Sequence, residues 1–515
     1  MKHQYTLFTR CPVYRRHFRL GHVGRDSLNR SFPQPRHGEG VTRWVDPKFG
    51  EVRSTGLQRQ LLLEAKSVTD RQAKFEQIAA QVATWRAELN VPGVTYGVHI
   101  GGEVYSGGCG VTSVENPLPV TDETIFQIGS ITKTVTATLI MRLAEQGALA
   151  LDARVREYLP GFRVSDESVA ERVTLRHLLT HRAGWTGDVF TDTGNNDDAL
   201  AQYVARMEDF EQLAPLSAYF SYNNAAFAVA GRVIEALTGM SYEDAVRELI
   251  FEPLGLERSY FFPHEVMLRR FAVGHQLNRG EPKVLSPWAI PRGLNAGGGI
   301  ACHIQDLLRY GAYHLGDGSP LMNADNFAEM HRPQGLAPPA IGHCGLAWMI
   351  SDYDGKAAHW HTGGTNGQDT LLVVMPQLGL ALGSIANGDK GLDLNNRFRK
   401  AVLKTFADID LQQQQAIASR AAELAEYVGK YQGTMRAIEL KLQEGRLFAD
   451  IRFRGGLPSD RELPPTPLAE LARCGPDELL VLDGFFKGTR ADVVRNAAGA
   501  IRYLRFGSRL NRKLD

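Results

Sequence analysis

Ser130 and Lys133 stand three positions apart, and the apolar spacing that follows predicts a helix beginning at Ser130. Because residues three apart share one face of a helix, the Lys133 ammonium can reach the Ser130 hydroxyl. A serine is a weak nucleophile until a base takes its proton, and a lysine can be that base only when its pKa is lowered. The positive helix N-terminus would favour an alkoxide there. The pair predicts nucleophilic catalysis, although a lone serine at a helix start is most often an N-cap.

A second polar segment, at the start of a predicted helix over residues 223–237, consists of Tyr222, Asn223 and Asn224. Taken alone, it favours a structural interpretation, in which the tyrosine is a packed aromatic and one asparagine is an N-cap. Together with Ser130 and Lys133, it supplies a phenol and an amide that can assist proton transfer and substrate binding.

A third segment precedes strand-like sequence over residues 368–387 and consists of His361, Thr362, Gly363 and Gly364. Glycines allow the backbone to approach a substrate closely. His359 and His361 could ligate a metal, but no third ligand follows at a recognisable spacing. We therefore expect neither a metal nor a cofactor.

These three motifs resemble those of the penicillin-recognising serine hydrolases, the serine β-lactamase-like and penicillin-binding-protein-like family. The family includes class C β-lactamases, DD-peptidases, D-aminopeptidases and β-lactamase-like esterases. Further similar segments are residues 91–94, 122–126, 175–181, 253–256 and 296–300. The resemblance covers roughly residues 70–405.

The resemblance implies roles for the first two motifs. Ser130 would be the nucleophile and Lys133 its base, and Tyr222 would relay the proton between Ser130 and the leaving group. Asn224 would hydrogen-bond the amide of the substrate and help to hold Lys133.

The resemblance also implies that the third motif binds the substrate. The family usually has Lys-Thr-Gly here, facing the carboxylate of the substrate, whereas this sequence has His361, which is neutral or weakly charged near pH 7. The substitution disfavours an anionic β-lactam as the preferred substrate. The family pattern would place the Gly363 and Gly364 backbone beside the nucleophile, with the amides of Gly364 and Ser130 as the oxyanion hole.

The spacing of apolar residues predicts the helices and strands that must position these motifs. Apolar spacing predicts helices over residues 70–89 and 130–146, the second closed by Gly147, and strands over 94–100 and 104–105. The resemblance implies an α+β fold of the β-lactamase/transpeptidase type. It has an antiparallel sheet of five or more strands flanked by helices, a helical lobe, and the site between them.

The chain divides into four predicted segments. Residues 1–70 form an N-terminal extension, basic over its first 50 residues and expected to be poorly ordered, and residues 71–405 form the hydrolase domain. Residues 406–424 are predicted to form a linker helix. Alternating apolar residues over 425–515 predict a small β-barrel similar to a lipocalin. The barrel either caps the site or only stabilises or oligomerises the protein, and the sequence leaves both open.

Composition excludes several classes of protein. The 58 Lys and Arg residues against 57 Asp and Glu argue against a dedicated nucleic-acid binder. No apolar run approaches the roughly 18 residues that a membrane span needs. Residues 1–50 lack an apolar signal region, so we expect a cytoplasmic location as written, and a periplasmic or secreted one if the N-terminus is misassigned. The oligomeric state stays open.

The leading hypothesis is a serine hydrolase that forms an acyl-enzyme on Ser130 and hydrolyses an ester or a small peptide or amide. The first alternative is a β-lactamase, DD-peptidase or D-aminopeptidase acting on cell-wall-like or linear peptides. The second is a catalytically inactive ligand-binding sensor on the same fold. Because the sequence has no Gly-x-Ser-x-Gly, an α/β-hydrolase is disfavoured.

Overall fold

A computed structural model describes the backbone of residues 13–16, 56–459 and 467–514, and the side chains of those from residue 68 onward. Most of the predicted extension, residues 1–70, lies outside the described residues. Its last part does not, because the first helix begins at Gly56 and runs to Glu88. The predicted helix over 70–89 is therefore the second half of a longer one.

Helices pack on both faces of the large antiparallel sheet. Short 3-10 turns cover Gly129–Ile131, Arg206–Asp209, Arg292–Leu294 and Pro376–Leu378, and a π-helical turn covers Arg247–Phe251. The α-helices are α1 (Gly56–Glu88), α2 (Thr132–Glu145), α3 (Val155–Tyr158), α4 (Glu167–Arg172), α5 (Leu175–Leu179), α6 (Ala199–Ala205), α7 (Ala225–Thr238), α8 (Tyr242–Val246), α9 (Glu252–Leu254), α10 (Pro263–Val266), α11 (Asn295–Gly298), α12 (Ile304–Tyr313), α13 (Ala324–His331), α14 (Gly391–Ala407) and α15 (Ala421–Ala425).

The strands before residue 390 belong to one large sheet and two small ones. They are β1 (Val13–Arg16), β2 (Gly93–Ile100), β3 (Glu103–Gly110), β4 (Phe126–Gln127), β5 (Ser259–Tyr260), β6 (His275–Asn278), β7 (Glu281–Val284), β8 (Ala301–Cys302), β9 (Gly335–Leu336), β10 (His343–Cys344), β11 (Met349–Tyr353), β12 (Lys356–Gly364), β13 (Asp369–Met375) and β14 (Leu380–Ala386).

The large sheet is antiparallel, with strand order β1-β3-β2-β14-β13-β12-β11-β10-β9. One apolar core lies between it and helices α1 and α14, and a larger core lies on the side of α12 and the lobe. Because both faces are covered, β14 is buried along its whole length, and its one polar side chain, Ser384, hydrogen-bonds Asn395. The predicted α+β fold, with helices on an antiparallel sheet, is confirmed.

The two helices that carry motifs begin close to their predicted positions. Helix α2 begins at Thr132, because Ser130 lies in a 3-10 turn that Gly129 enters with a φ of +51°. Its predicted terminator is confirmed, since Gly147 has a φ of +73°. Helix α7 begins at Ala225, directly after the Tyr222 motif.

The C-terminal strands close into a barrel. They are β15 (Gly429–Gln432), β16 (Arg436–Gln443), β17 (Arg446–Phe453), β18 (Ala469–Gly475), β19 (Glu478–Val481), β20 (Arg490–Arg495), β21 (Ile501–Phe506) and β22 (Arg509–Leu514). Each strand pairs with its neighbours in sequence, and β15 pairs with β22 to complete the ring. Buried aliphatic and aromatic side chains, Leu440, Leu447 and Phe506 among them, pack into one core in this unit. The predicted C-terminal β-barrel is confirmed.

The predicted linker helix over residues 406–424 is wrong in its extent. Helix α14 ends at Ala407, where Asp408 adopts a φ of +53°, and α15 covers only Ala421–Ala425. The intervening chain bonds to the barrel instead of to itself. The Ile417 amide donates to the Arg473 carbonyl at 2.7 Å, and this contact takes the place of an intrahelical bond.

Within residues 56–459 and 467–514, no helix combines the length and the apolar character that crossing a bilayer requires.

Candidate active site

The nucleophile candidate and its base lie together at the start of α2. Lys133 Nζ is 3.0 Å from Ser130 Oγ, and it donates a 2.6 Å hydrogen bond to the Gly297 carbonyl on the far side. The Lys133 side chain is fully buried, whereas Ser130 reaches a cavity. The structure therefore brings the predicted pair into direct contact and holds the amine from both sides.

The surroundings of Lys133 favour a neutral amine. Burial lowers the pKa of Lys133 well below its ordinary value, and the nearby Arg509 guanidinium lowers it further, while Asp188 opposes the change. A neutral amine keeps N–H groups for the Gly297 carbonyl and offers a lone pair to the Ser130 hydroxyl. This is the state in which a lysine can act as a general base near neutral pH.

Tyr222 lies next to the Lys133 amine. The Ser130 side chain acts on the pKa of the Tyr222 phenol, and the Tyr222 ring lies 5.1 Å from Lys133 Nζ. Burial raises the pKa of Tyr222, so the phenol stays protonated near neutral pH. The imidazole of His181 stacks on the ring at 4.4 Å and fixes its plane. A protonated phenol in this position can pass a proton between Ser130 and a leaving group.

The end of β12 lies against the Ser130 turn, and glycine is required on both sides. A Cβ on Gly363 would lie 1.8 Å from the Ile128 carbonyl oxygen, and one on Gly129 would lie 2.7 Å from the Gly364 nitrogen. Gly364 lines the cavity beside Ser130. This close approach brings both predicted oxyanion-hole residues to one wall of the cavity.

His361 lies on β12, two residues before Gly363, and its imidazole is neutral. Its Nδ1 is 2.5 Å from the Thr362 carbonyl oxygen, which fixes the proton on Nδ1. Burial, together with a smaller contribution from the neighbouring Lys133, lowers the pKa of His361 to about 3. Its buried Nε2 has no hydrogen-bond partner among the described residues. The histidine thus offers an acceptor, not a positive charge.

Asn224 lines the cavity but takes a different partner from the predicted one. Its side-chain amide donates to Asp188 at 2.5 Å, while the hydrogen bonds of Lys133 go to Ser130 and Gly297. The neighbouring Asn223 accepts from the Ala226 amide and is the structural asparagine of the motif. The prediction that Asn224 helps to hold Lys133 is therefore replaced by a contact with a buried carboxylate.

Two residues that the sequence interpretation missed complete this arrangement. Asp188 lies in the loop after α5, and its side chain is 4 % exposed. It accepts from Arg509 Nε at 2.7 Å, although the two residues are 321 positions apart. The Arg509 guanidinium lies 4.6 Å from the centre of the Tyr222 ring. Neither residue belongs to a recognisable local pattern, so no sequence signal pointed to them.

The cavity in front of Ser130 has a volume of about 1150 Å³. The catalytic unit, which is the candidate hydrolase unit of residues 56–407, contributes apolar surface from Phe190, Ile290 and Leu294. The facing wall belongs to the barrel and includes Arg490, Arg505 and Arg509. The volume accommodates a substrate well beyond the size of a single amino acid.

Geometry and sequence agree with one family. A family model described as Beta-lactamase matches residues 72–404. The chain belongs to this beta-lactamase family. Penicillin-binding protein 4 of Amycolatopsis lactamdurans is 35% identical over 317 residues, which make up 59% of this chain and 82% of that protein.

Solved structures of beta-lactamase-like fold also match the chain beyond residue 404. The octameric penicillin-binding protein homologue from Pyrococcus abyssi has a TM-score of 0.59 at 25% identity and covers 84% of this chain and 98% of its own. SurE has a TM-score of 0.69 at 24% identity and covers 86% of this chain and 100% of its own, which shows a shared fold.

Proposed function

We propose that the chain is a serine hydrolase that forms an acyl-enzyme on Ser130 and hydrolyses an ester or a small peptide or amide. The observation that carries this proposal is the buried Lys133 amine, 3.0 Å from Ser130 Oγ at the mouth of a cavity. Membership of the beta-lactamase family supports the same chemistry.

Acylation begins when Lys133, neutral at working pH, accepts the Ser130 proton with Tyr222 as its partner. The alkoxide attacks the substrate carbonyl, and the resulting oxyanion is stabilised by the Ser130 and Gly364 amides. The C–O or C–N bond of the substrate then breaks, and the Tyr222 phenol protonates the leaving alcohol or amine. Lys133 reprotonates the phenol, so no net charge is left in the buried site.

Deacylation reverses these roles. A water molecule takes the place of the leaving group, and the Lys133–Tyr222 pair removes its proton as it attacks the acyl-enzyme. The same amides stabilise the second oxyanion. Ser130 leaves with the proton, and the acid product departs through the cavity.

The surroundings of the site favour an ester or a linear amide over an anionic β-lactam. The neutral His361 does not supply the cation that Lys-Thr-Gly places on this strand, and the apolar wall formed by Phe190, Ile290 and Leu294 suits an apolar acyl group. A peptidase or β-lactamase activity is the second candidate, supported by the 35% identity to a penicillin-binding protein.

Covalent labelling tests the nucleophile. A fluorophosphonate probe should add one label to the wild-type protein and none to Ser130→Ala, as read by intact mass. Ser168→Ala, an exposed serine beside Asp166, is the matched control and should label like the wild type. Labelling of Ser130→Ala at the wild-type rate would contradict the assignment.

A substrate panel tests the reaction. We expect turnover of a p-nitrophenyl ester, and of a D-Ala p-nitroanilide or a linear peptide, with slower turnover of a chromogenic cephalosporin. Faster turnover of the cephalosporin would favour the second candidate. Absence of both acylation and turnover would favour a ligand-binding sensor on this fold.

A further inference from the structure

The hairpin between β21 and β22 of the barrel holds the backbone of the Tyr222 segment. The Tyr222 amide donates to the Ser508 carbonyl at 2.9 Å, and the Leu510 amide donates to Ser221 Oγ at 3.2 Å. Gly507 and Ser508 both have positive φ values, +57° and +66°, which give the tight turn that reaches the site. The catalytic phenol therefore follows a stretch of backbone that is paired to the other unit of the chain.

The side chain that follows this turn reaches further into the site. The Arg509 guanidinium covers the Tyr222 ring at 4.6 Å and donates to Asp188 through both Nε, at 2.7 Å, and Nη2, at 3.3 Å. Asp188 in turn accepts from the Asn224 amide. One chain of contacts thus joins the barrel, a buried carboxylate and the motif that carries the phenol.

This contact is part of the built structure and not a surface ion pair. The Asp188 side chain is 4 % exposed and that of Arg509 is 28 % exposed. Removing Arg509 leaves the buried Asp188 carboxylate without its cation, whereas pairs of fully exposed charges contribute little. A planar guanidinium can form two hydrogen bonds to one carboxylate while it stacks on an aromatic ring. An ammonium group cannot form this combination of contacts.

We propose that Arg509 is a positioning residue of the Ser130 site, which holds Tyr222 and Asn224 in place through the ring and through Asp188. This inference rests on the proposed hydrolase function. It makes the barrel a structural component of the active site, because the required guanidinium comes only from its final hairpin.

The charges around Lys133 give the proposal a signature in pH. The groups that face this amine are Ser130, Tyr222, Asp188, His181, His361 and Arg509. Without Arg509, the Asp188 carboxylate stands uncompensated near Lys133 and favours the ammonium, so the pKa of the base rises. A residue that only stabilised the fold would not move this value.

The experiment compares acylation and turnover of the full chain in the wild type, Arg509→Ala, Arg509→Lys and the control Arg452→Ala. Arg452 is an exposed barrel arginine paired with Asp450. We expect Arg509→Ala to lower kcat about 100-fold with little change in KM. We expect its acid limb of kcat/KM to move up by about one pH unit. Added guanidinium at a non-denaturing concentration should restore part of the rate.

The conservative variant separates geometry from charge. Arg509→Lys keeps the positive charge but not the planar fork, so its acid limb should stay near that of the wild type while kcat still falls. Arg452→Ala should stay within about twofold of the wild type in both kcat and pH profile. If Arg509→Ala does not fold, Arg509→Lys decides: reduced kcat at unchanged Tm supports the proposal, and unchanged kcat overturns it.

Failure of this inference differs from failure of the proposed function. Normal acylation of the wild type, together with an unchanged kcat and pH profile in folded Arg509→Ala, overturns the positioning role alone. Absence of wild-type acylation overturns the hydrolase function and this inference with it.

Discussion

The amine of Lys133 donates a 2.6 Å hydrogen bond to the Gly297 carbonyl and lies 3.0 Å from Ser130 Oγ. Because this bond engages one N–H group of the amine, it restrains the orientation of the proposed base beside the Ser130 hydroxyl. The first glycine of α11 therefore takes part in orienting the base, although it carries no side chain.

Lys133 variants test this arrangement. We expect Lys133→Met to lower kcat/KM about 1000-fold, because the proton acceptor is lost. Lys133→Arg should be equally slow, since a guanidinium stays charged and cannot accept the proton. Steady-state kinetics with a p-nitrophenyl ester measure the effect, and the exposed Lys74→Met is the control. Activity of Lys133→Arg near the wild-type value would contradict a base role.

The pH dependence of kcat/KM follows from two shifted groups. As the proposed base, Lys133 would act only when neutral, and burial lowers its pKa, so activity should persist near pH 7 and fall as pH drops through that lowered pKa. As the proposed proton donor, Tyr222 would act only when protonated, and burial raises its pKa, so loss on the alkaline side should begin only above about pH 10. A profile with activity confined to pH values above 10 would show a lysine of ordinary pKa.

The contact between β12 and the Ser130 turn predicts a steric effect. Gly363→Ala should destabilise the fold by about 1–3 kcal/mol, because the new methyl group meets the Ile128 carbonyl, and it should abolish acylation by displacing the turn. Gly161→Ala, where nothing lies near the added carbon, is the control. Urea unfolding and probe labelling measure the two effects. Normal labelling of Gly363→Ala would contradict the close approach.

A cluster of buried histidines predicts acid sensitivity. Burial lowers the pKa of His314, His331 and His359, that of His331 to about 3. In the unfolded chain these groups bind protons near pH 6.5, so below that pH the unfolded state takes up more protons. Stability should therefore be complete above about pH 7 and fall as pH decreases, by up to about 1.4 kcal/mol per pH unit for each histidine.

Urea unfolding at pH 7 and pH 5 measures this loss. His331→Gln removes one of the protonating groups, so its stability should change less between the two pH values than that of the wild type. His264→Gln, at an exposed position, should keep the wild-type difference. An equal loss in all three proteins would assign the acid sensitivity to other groups.

Local residue spacing was sufficient to predict several helices and contacts of the catalytic unit. The three-residue separation of Ser130 and Lys133 gives direct contact because a helical turn repeats at that distance, and the structure confirms it. The ends of α2 and α7 follow from Gly147 and Gly239, both at positive φ. The alternation of apolar residues after position 425 predicted the barrel, because strands place alternate side chains inward.

Other features depended on contacts that no local pattern contains. The chain at 408–420 has a helix-compatible composition, yet its Gln414 side chain and Ile417 amide bond to the barrel. Asn224 occupies the position of the motif asparagine of the family, but its side-chain amide donates to Asp188 and not toward the proposed base. In both cases a partner distant in sequence competed with the local interaction and displaced it.

The sequence by itself predicted the Ser130, Tyr222 and His361 motifs as the residues for the chemistry, because motif spacing acts through the local geometry of single helices and strands. Only the tertiary structure decided their chemical state. Lys133 and His361 have lowered pKa values because packing removes them from water, and Arg509 reaches Tyr222 because the barrel docks on the catalytic unit. Burial and long-range charge are properties of the packed chain, and residues 321 positions apart meet only after both units have folded.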